Sequence, residues 1–180
     1  ARRGRAGPLT CSSPVTLVQV EQGVDERVSA IVHAHPGWPC AKGCDDCCRS
    51  LASEPSINEL EWQRLAPALD EPMRQRIRAT AGAVRPVVCP LLDVESGACL
   101  VYPVRPVACR TYGFYAERGR VLGCHRIEAI AADSPDVVWG NPAAVERELN
   151  AWGEARPLSE WLTFPLRPEV ETPDPRPSTP

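Results

Sequence analysis

Cys40-Ala41-Lys42-Gly43-Cys44-Asp45-Asp46-Cys47-Cys48 places four thiols within nine residues. Packing alone gives no reason for so dense a group. Thiolate ligation of a metal ion or an iron–sulfur centre does. Pro39 and Gly43 disfavour a helix across the first part of the run, which predicts a loop at Cys40. From Cys44 a helix is expected, with Asp45 and Asp46 in its first turn. Cys44, Cys47 and Cys48 would then stand at i, i+3 and i+4 on one face. Neighbouring Cys47 and Cys48 would diverge by about 100° on such a helix, which suits a polynuclear centre better than one tetrahedral ion.

Outward from this run, Cys89, Cys99, Cys109 and Cys124 bring the set to eight. Each falls where a short element meets a turn. Eight thiols suit two four-thiolate sites, or one cluster with a supporting site. In one arrangement Cys40, Cys44, Cys47 and Cys48 hold one centre and the later four another. In the second, ligands from both halves converge on shared iron or zinc. Arg105 and Arg110 bracket Cys109 and are expected to offset thiolate charge beside the bound group. Arg49 and Arg126 read equally well as surface groups. His125, beside Cys124, is the best ligand candidate other than cysteine; His33 and His35 read as surface groups.

The thiols could also be small buried hydrophobes, a disulfide-stabilised scaffold, or a thiol–disulfide redox pair through Cys44-Asp45-Asp46-Cys47. The spacing C-x3-C-x2-C also matches the motif of radical S-adenosylmethionine enzymes. A helix precedes the motif here, however, and no alternation of strands and helices follows it. Cys11 stands apart in a leader and reads as a bystander.

At 180 residues, 43% hydrophobic, the chain suits one domain with an ordinary core. Its net charge of -3 carries no basic footprint for nucleic acid. No run of about 18 apolar residues predicts a membrane span, and the basic start does not resemble a signal peptide. A cytoplasmic protein is expected, where clustered cysteines serve as ligands more often than as disulfides. A flexible leader is expected over 1–14, one cysteine-cluster domain over 15–166, and a disordered Pro-rich tail over 167–180.

The expected fold class is α+β and helix-rich, with a short β-hairpin and a cysteine-lined metal site. Val24, Val28, Ile31 and Val32 mark a helix ending at Pro36-Gly37. Ser56 is expected to cap a helix over 57–69, divided at Pro67, and Asp70 to cap the next, which runs through Met73, Ile77 and Val84 to about Arg85-Pro86. Those two would form an α-hairpin over the cluster. Segments 87–92 and 98–102 would pair as a hairpin. A short helix is expected at 105–110, a strand at 121–125, a helix over 143–152 and one further turn at 158–162.

Taken in order, Cys40-x3-Cys44-x2-Cys47-Cys48, Cys89-Pro90-Leu91-Leu92, Gly97-Ala98-Cys99-Leu100-Val101-Tyr102 and Arg105-Pro106-Val107-Ala108-Cys109-Arg110 resemble the YkgJ-type cysteine-cluster family, a zinc- or iron-chelating domain. The resemblance covers about residues 38–126. It implies a small bacterial metal-chelating protein that binds iron, as an iron–sulfur cluster, or zinc. A similar cysteine block occurs in flagellin lysine N-methylase, a much longer enzyme. The leading expectation is a metal-binding protein with a structural or redox role. A cluster-dependent enzyme or subunit, for methyl transfer or redox chemistry, is the alternative. No Ser/His/Asp set or phosphate-cradling loop names a reaction, a substrate or a protein partner.

Overall fold

The computed structural model describes residues 15–165. The leader over 1–14, Cys11 within it, and the tail over 167–180 lie outside the described residues.

Helix α1 runs over Leu17–Ala34. It begins seven residues before the apolar spacing at Val24 becomes regular, because Thr16 and Gln19 form a capping box there. Strand β1 (Ser56–Ile57) follows, then α2 (Glu59–Leu65). Ser56 therefore does not cap α2. Asn58 does, accepting from the Glu61 N–H at 3.0 Å while the Glu61 carboxylate accepts from the Asn58 N–H at 3.1 Å. Ser56 pairs with Pro157 instead. Pro67 sits in a 3-10 turn, Ala66–Ala68, that closes α2. Asp70 caps α3 (Glu71–Ala79) as the sequence predicts, accepting from the Met73 N–H at 2.8 Å, but the helix ends at Ala79, with Thr80 as its C-cap, rather than running through Val84 to Arg85-Pro86.

The expected hairpin forms between β2 (Leu92–Asp93) and β3 (Ala98–Cys99), with Leu92 opposite Cys99. It is shorter than the sequence suggests, because Val87 pairs with Leu51 rather than within it. Helix α4 (Val107–Thr111) starts after Pro106. A second hairpin joins β4 (Ala116–Glu117) to β5 (Arg120–Val121). The strand expected to run on to 125 stops there, and α5 (His125–Asp133) begins at Cys124. Helix α6 (Pro142–Asn150), β6 (Arg156–Pro157) and α7 (Leu158–Trp161) are the last elements among the described residues. Strand β6 pairs antiparallel with β1, a hundred residues upstream.

Two apolar cores result. In the first, Val20, Val24 and Ile31 of α1 meet Trp38, Val107, Phe114, Tyr115 and Ile127. In the second, Trp62 and Leu65 of α2 meet Leu69, Ile77, Leu91, Val101, Leu158 and Trp161. Trp62 belongs to this core rather than to its flank. A polar seam ties the halves. Glu61 accepts from the Val107 N–H at 2.8 Å, and Arg64 pairs with Glu21 of α1. Burial raises the Glu61 carboxyl above the usual range, against the pull of those backbone N–H groups.

Candidate metal centre

The cysteine run is not helical beyond one turn. A turn at Ala41–Cys44 closes through the Cys44 N–H on Ala41 O at 3.0 Å, with Gly43 at φ +94. The next turn closes through the Arg49 N–H on Asp45 O (3.0 Å) and the Ser50 N–H on Cys47 O (3.3 Å). A helix cannot continue, because Leu51 exchanges both backbone hydrogen bonds with Val87, at 2.9 and 3.0 Å. The expected divergence of Cys47 and Cys48 is absent: their sulfurs stand 3.9 Å apart. The edge of a tetrahedron with metal–sulfur bonds of about 2.3 Å is itself about 3.8 Å. Spacing here no longer favours a polynuclear centre over a single ion.

Tertiary contacts bring the other cysteines to this turn. The Cys89 N–H donates to Cys48 O at 2.7 Å. Cys99 lies across the hairpin from Leu92, and the hairpin's turn docks on the run: Arg49 donates to Val94 O at 2.9 Å and to Asp45 at 2.6 Å. Cys109 sits within α4. Cys124 is the N-cap residue of α5. Cys40 lies against Gly113, where an added Cβ would fall inside 3.0 Å of its sulfur. The Trp38 indole N–H, donating to Gly113 O at 3.2 Å, holds that approach. All eight described cysteines are free thiols, and the disulfide-stabilised scaffold finds no bond among them.

The thiols affect one another's protonation. Burial, with the charges of Cys44, Cys124 and Cys47, pushes Cys40 up to about 12. The hydrogen bond to Cys48, with burial, raises Cys47 further. Cys48 is lowered by that bond, but the Cys89 thiol and burial outweigh it and carry Cys48 to about 12. Cys44 and Cys99 are raised first by burial. Cys109 keeps solvent-accessible surface, yet protein surrounds its sulfur; desolvation and the thiols of Cys48, Cys99 and Cys47 push it up to about 12. Burial, and the repulsion that neighbouring thiolates would feel, keep these half-buried thiols protonated until something cationic arrives.

Three arginines divide differently from the sequence expectation. Arg105 stacks on Tyr102 at 4.3 Å, and its charge lowers Cys99 and Cys109 against the trend. Its Nε is buried without a hydrogen-bond partner. Arg110 turns the other way. It is 7% exposed and donates to Asp25 of α1 at 3.0 Å and to the carbonyls of Pro103 and Arg105. None of these partners is a sulfur. Arg126, for which the sequence favours neither surface nor site, has one terminal N–H group 3.9 Å from Cys44 Sγ and 3.2 Å from Asp46. Only its position two residues after Cys124 could single it out beforehand. His125 and His33 are exposed, and His35 packs on Trp38.

Among the described residues, no three His, Cys, Asp or Glu side chains are arranged to hold an ion as they stand. The chemistry of the donor set nonetheless fits one: soft sulfur donors, unpaired, beside a guanidinium N–H lacking an acceptor. Two surface recesses, of about 270 and 490 Å³, have no cysteine in their linings. No helix of the described residues is long and apolar enough to cross a membrane.

No curated protein and no solved structure matches the chain. Residues 39–133, just over half of its length, match a family model described as "CxxCxxCC: Putative zinc- or iron-chelating domain". That span opens at the residue before Cys40 and closes at the end of α5, so it takes in all eight described cysteines, and by it the chain belongs to the CxxCxxCC zinc- or iron-chelating family.

Proposed function

We propose that this protein chelates zinc or iron, the iron as an iron–sulfur cluster, through the thiolates of Cys40, Cys44, Cys47, Cys48, Cys89, Cys99, Cys109 and Cys124. One observation carries the reading. Thiols drawn from five separate stretches of chain interact with one another, and none has formed a disulfide. Thiols serving only as apolar filler would have no need of one another. Arg105, with its unpartnered Nε, is suited to donate to a thiolate once one forms. A bound cation replaces the protons, and its charge offsets the repulsion that the resulting thiolates would otherwise feel. The role is structural or redox.

Anaerobic purification, with metal and acid-labile sulfide analysis, tests the proposal. Iron with sulfide and broad visible absorption identifies a cluster. A colourless protein with stoichiometric zinc identifies a structural ion. Protein that stays metal-free after reduced reconstitution with either metal overturns the proposal.

A further inference from the structure

The larger recess, of about 490 Å³, is lined by α1 and α6 and has no cysteine in its wall. Its size falls in the range that admits a small organic ligand. The wall is largely apolar: Val20 and Val24 of α1, Val145 of α6, and the rings of Tyr115 and Trp139. Tyr115 packs on Gly140, where an added Cβ would fall 2.5 Å from the ring, and Trp139 packs on Trp38 with ring centroids 5.6 Å apart. Gly23 lines the recess as well, inside the 18-residue α1. Glycine is the poorest helix former after proline. Close packing requires glycine at position 140. At Gly23 nothing lies within 4 Å of an added Cβ, and its φ is not left-handed. Among the described residues neither packing nor backbone conformation asks for glycine there. What it does is keep the recess open against α1.

The polar groups of the recess favour an anion. Arg27 and Arg147 stand in its wall against one carboxylate, Glu148. Arg27 is half-buried, and among the described residues neither arginine side chain has a hydrogen bond or an ion pair. Asp25, two residues before Arg27, pairs with Arg110 at 3.0 Å instead. Helix α6 also starts at the recess: its N-cap Asn141 and Ala144 line it, and its first turn has no acidic residue, so the positive end of the helix dipole is left unopposed there. Beyond metal chelation, we infer that this recess binds a small aromatic carboxylate, its ring against Trp139 and Tyr115 and close over Gly23, its carboxylate on Arg27. The guanidinium then gains the partner it lacks, in a setting where a charge-assisted pair counts for more than on an open surface. Flat rings stack on flat rings, which favours an aromatic body over an acyl chain.

Titration calorimetry on the full chain, kept reduced, tests the assignment with 2-naphthoate, its neutral counterpart 2-naphthamide, and decanoate. One 2-naphthoate per chain is expected, bound at least about tenfold more tightly than 2-naphthamide and more tightly than decanoate. Arg27→Gln should bring 2-naphthoate and 2-naphthamide to equal affinity. Gly23→Leu, which fills the recess, should abolish binding of both. Gly23→Ala should raise the urea midpoint of the free protein while weakening the ligand, because the helix gains what the recess loses. Metal content should be the same in all three variants, since none touches a cysteine. Absence of 2-naphthoate binding, equal affinity for 2-naphthamide, tighter binding of decanoate, full binding by Gly23→Leu, or a lowered midpoint for Gly23→Ala would each overturn the assignment and leave chelation untouched.

Discussion

Gly113→Ala tests whether the approach of Cys40 to Gly113 is as close as the structure has it. Gly113 has φ +88, and a Cβ there would fall inside 3.0 Å of the Cys40 sulfur and 3.6 Å from Ile127. The backbone has little room to retreat, since Gly113 accepts from Trp38 at 3.2 Å and donates to Leu122 O at 2.5 Å. Adopting positive φ costs an L-residue about 1–2 kcal/mol, and overfilling a packed site adds about 1–3 kcal/mol. The expected loss is therefore about 2–5 kcal/mol. Gly119→Ala is the control: φ is +79, but nothing lies within 4 Å of its Cβ. It should show the backbone cost alone. Urea unfolding of the reduced, metal-free protein measures both, read as a shift of midpoint at constant slope. In a Cys40→Ala background the sulfur is gone, and the cost of Gly113→Ala should fall to that of Gly119→Ala. Equal losses for the two glycine variants in the unaltered background would refute the reasoning. The same displacement of Cys40 should weaken metal uptake at the centre that holds it.

Three further outcomes are expected. Cys40, Cys48 and Cys109 titrate near 12 in the folded chain against an ordinary 9.0, so the folded state holds protons that the unfolded state gives up. Stability of the metal-free protein should be level below about pH 9 and fall as pH rises toward 12, measured by urea midpoints across that range. Metal affinity should instead rise with pH below 9, with about four protons released per four-thiolate ion. Arg110→Met should cost about 1–3 kcal/mol, because it leaves Glu21 buried without that charge while Asp25 is half exposed; bound metal per chain should not change, since no sulfur is its partner. Leu158→Ala should cost about 2–5 kcal/mol in the same unfolding assay, because Leu158 is wholly buried in the core around α2 and closes the β1–β6 pairing.

Much of the chain is legible where the signal is local. Asp70, Pro67 and the apolar spacing of α1 act within a turn or two of themselves, and sequence alone places them well. Ser56 competes with Asn58 for the cap of α2 because both are good caps and both have a glutamate three residues on. The choice falls to β6, whose pairing with Ser56–Ile57 no local pattern announces. Helix α5 is hidden because Cys124-His125 reads as the end of a strand. At the cysteine run, the density of thiols can be read from the sequence, but their arrangement cannot. The helix expected from Cys44 cannot survive the bridge between Leu51 and Val87. Arg110 carries the right charge beside the right cysteine, yet its side chain crosses to Asp25, 85 residues away in sequence.

By itself, the order of residues determined that this protein offers many soft sulfur ligands and belongs with metal chelators. Residue type and short spacings carry that chemistry wherever the chain goes. Which sulfur stands beside which was decided only when two cores closed on either side of the cysteine run. Cys40 was carried to Gly113 and Cys48 to Cys89 by the burial of side chains that bind nothing. Proximity between residues tens of positions apart is a property of packing, and no window of sequence contains it.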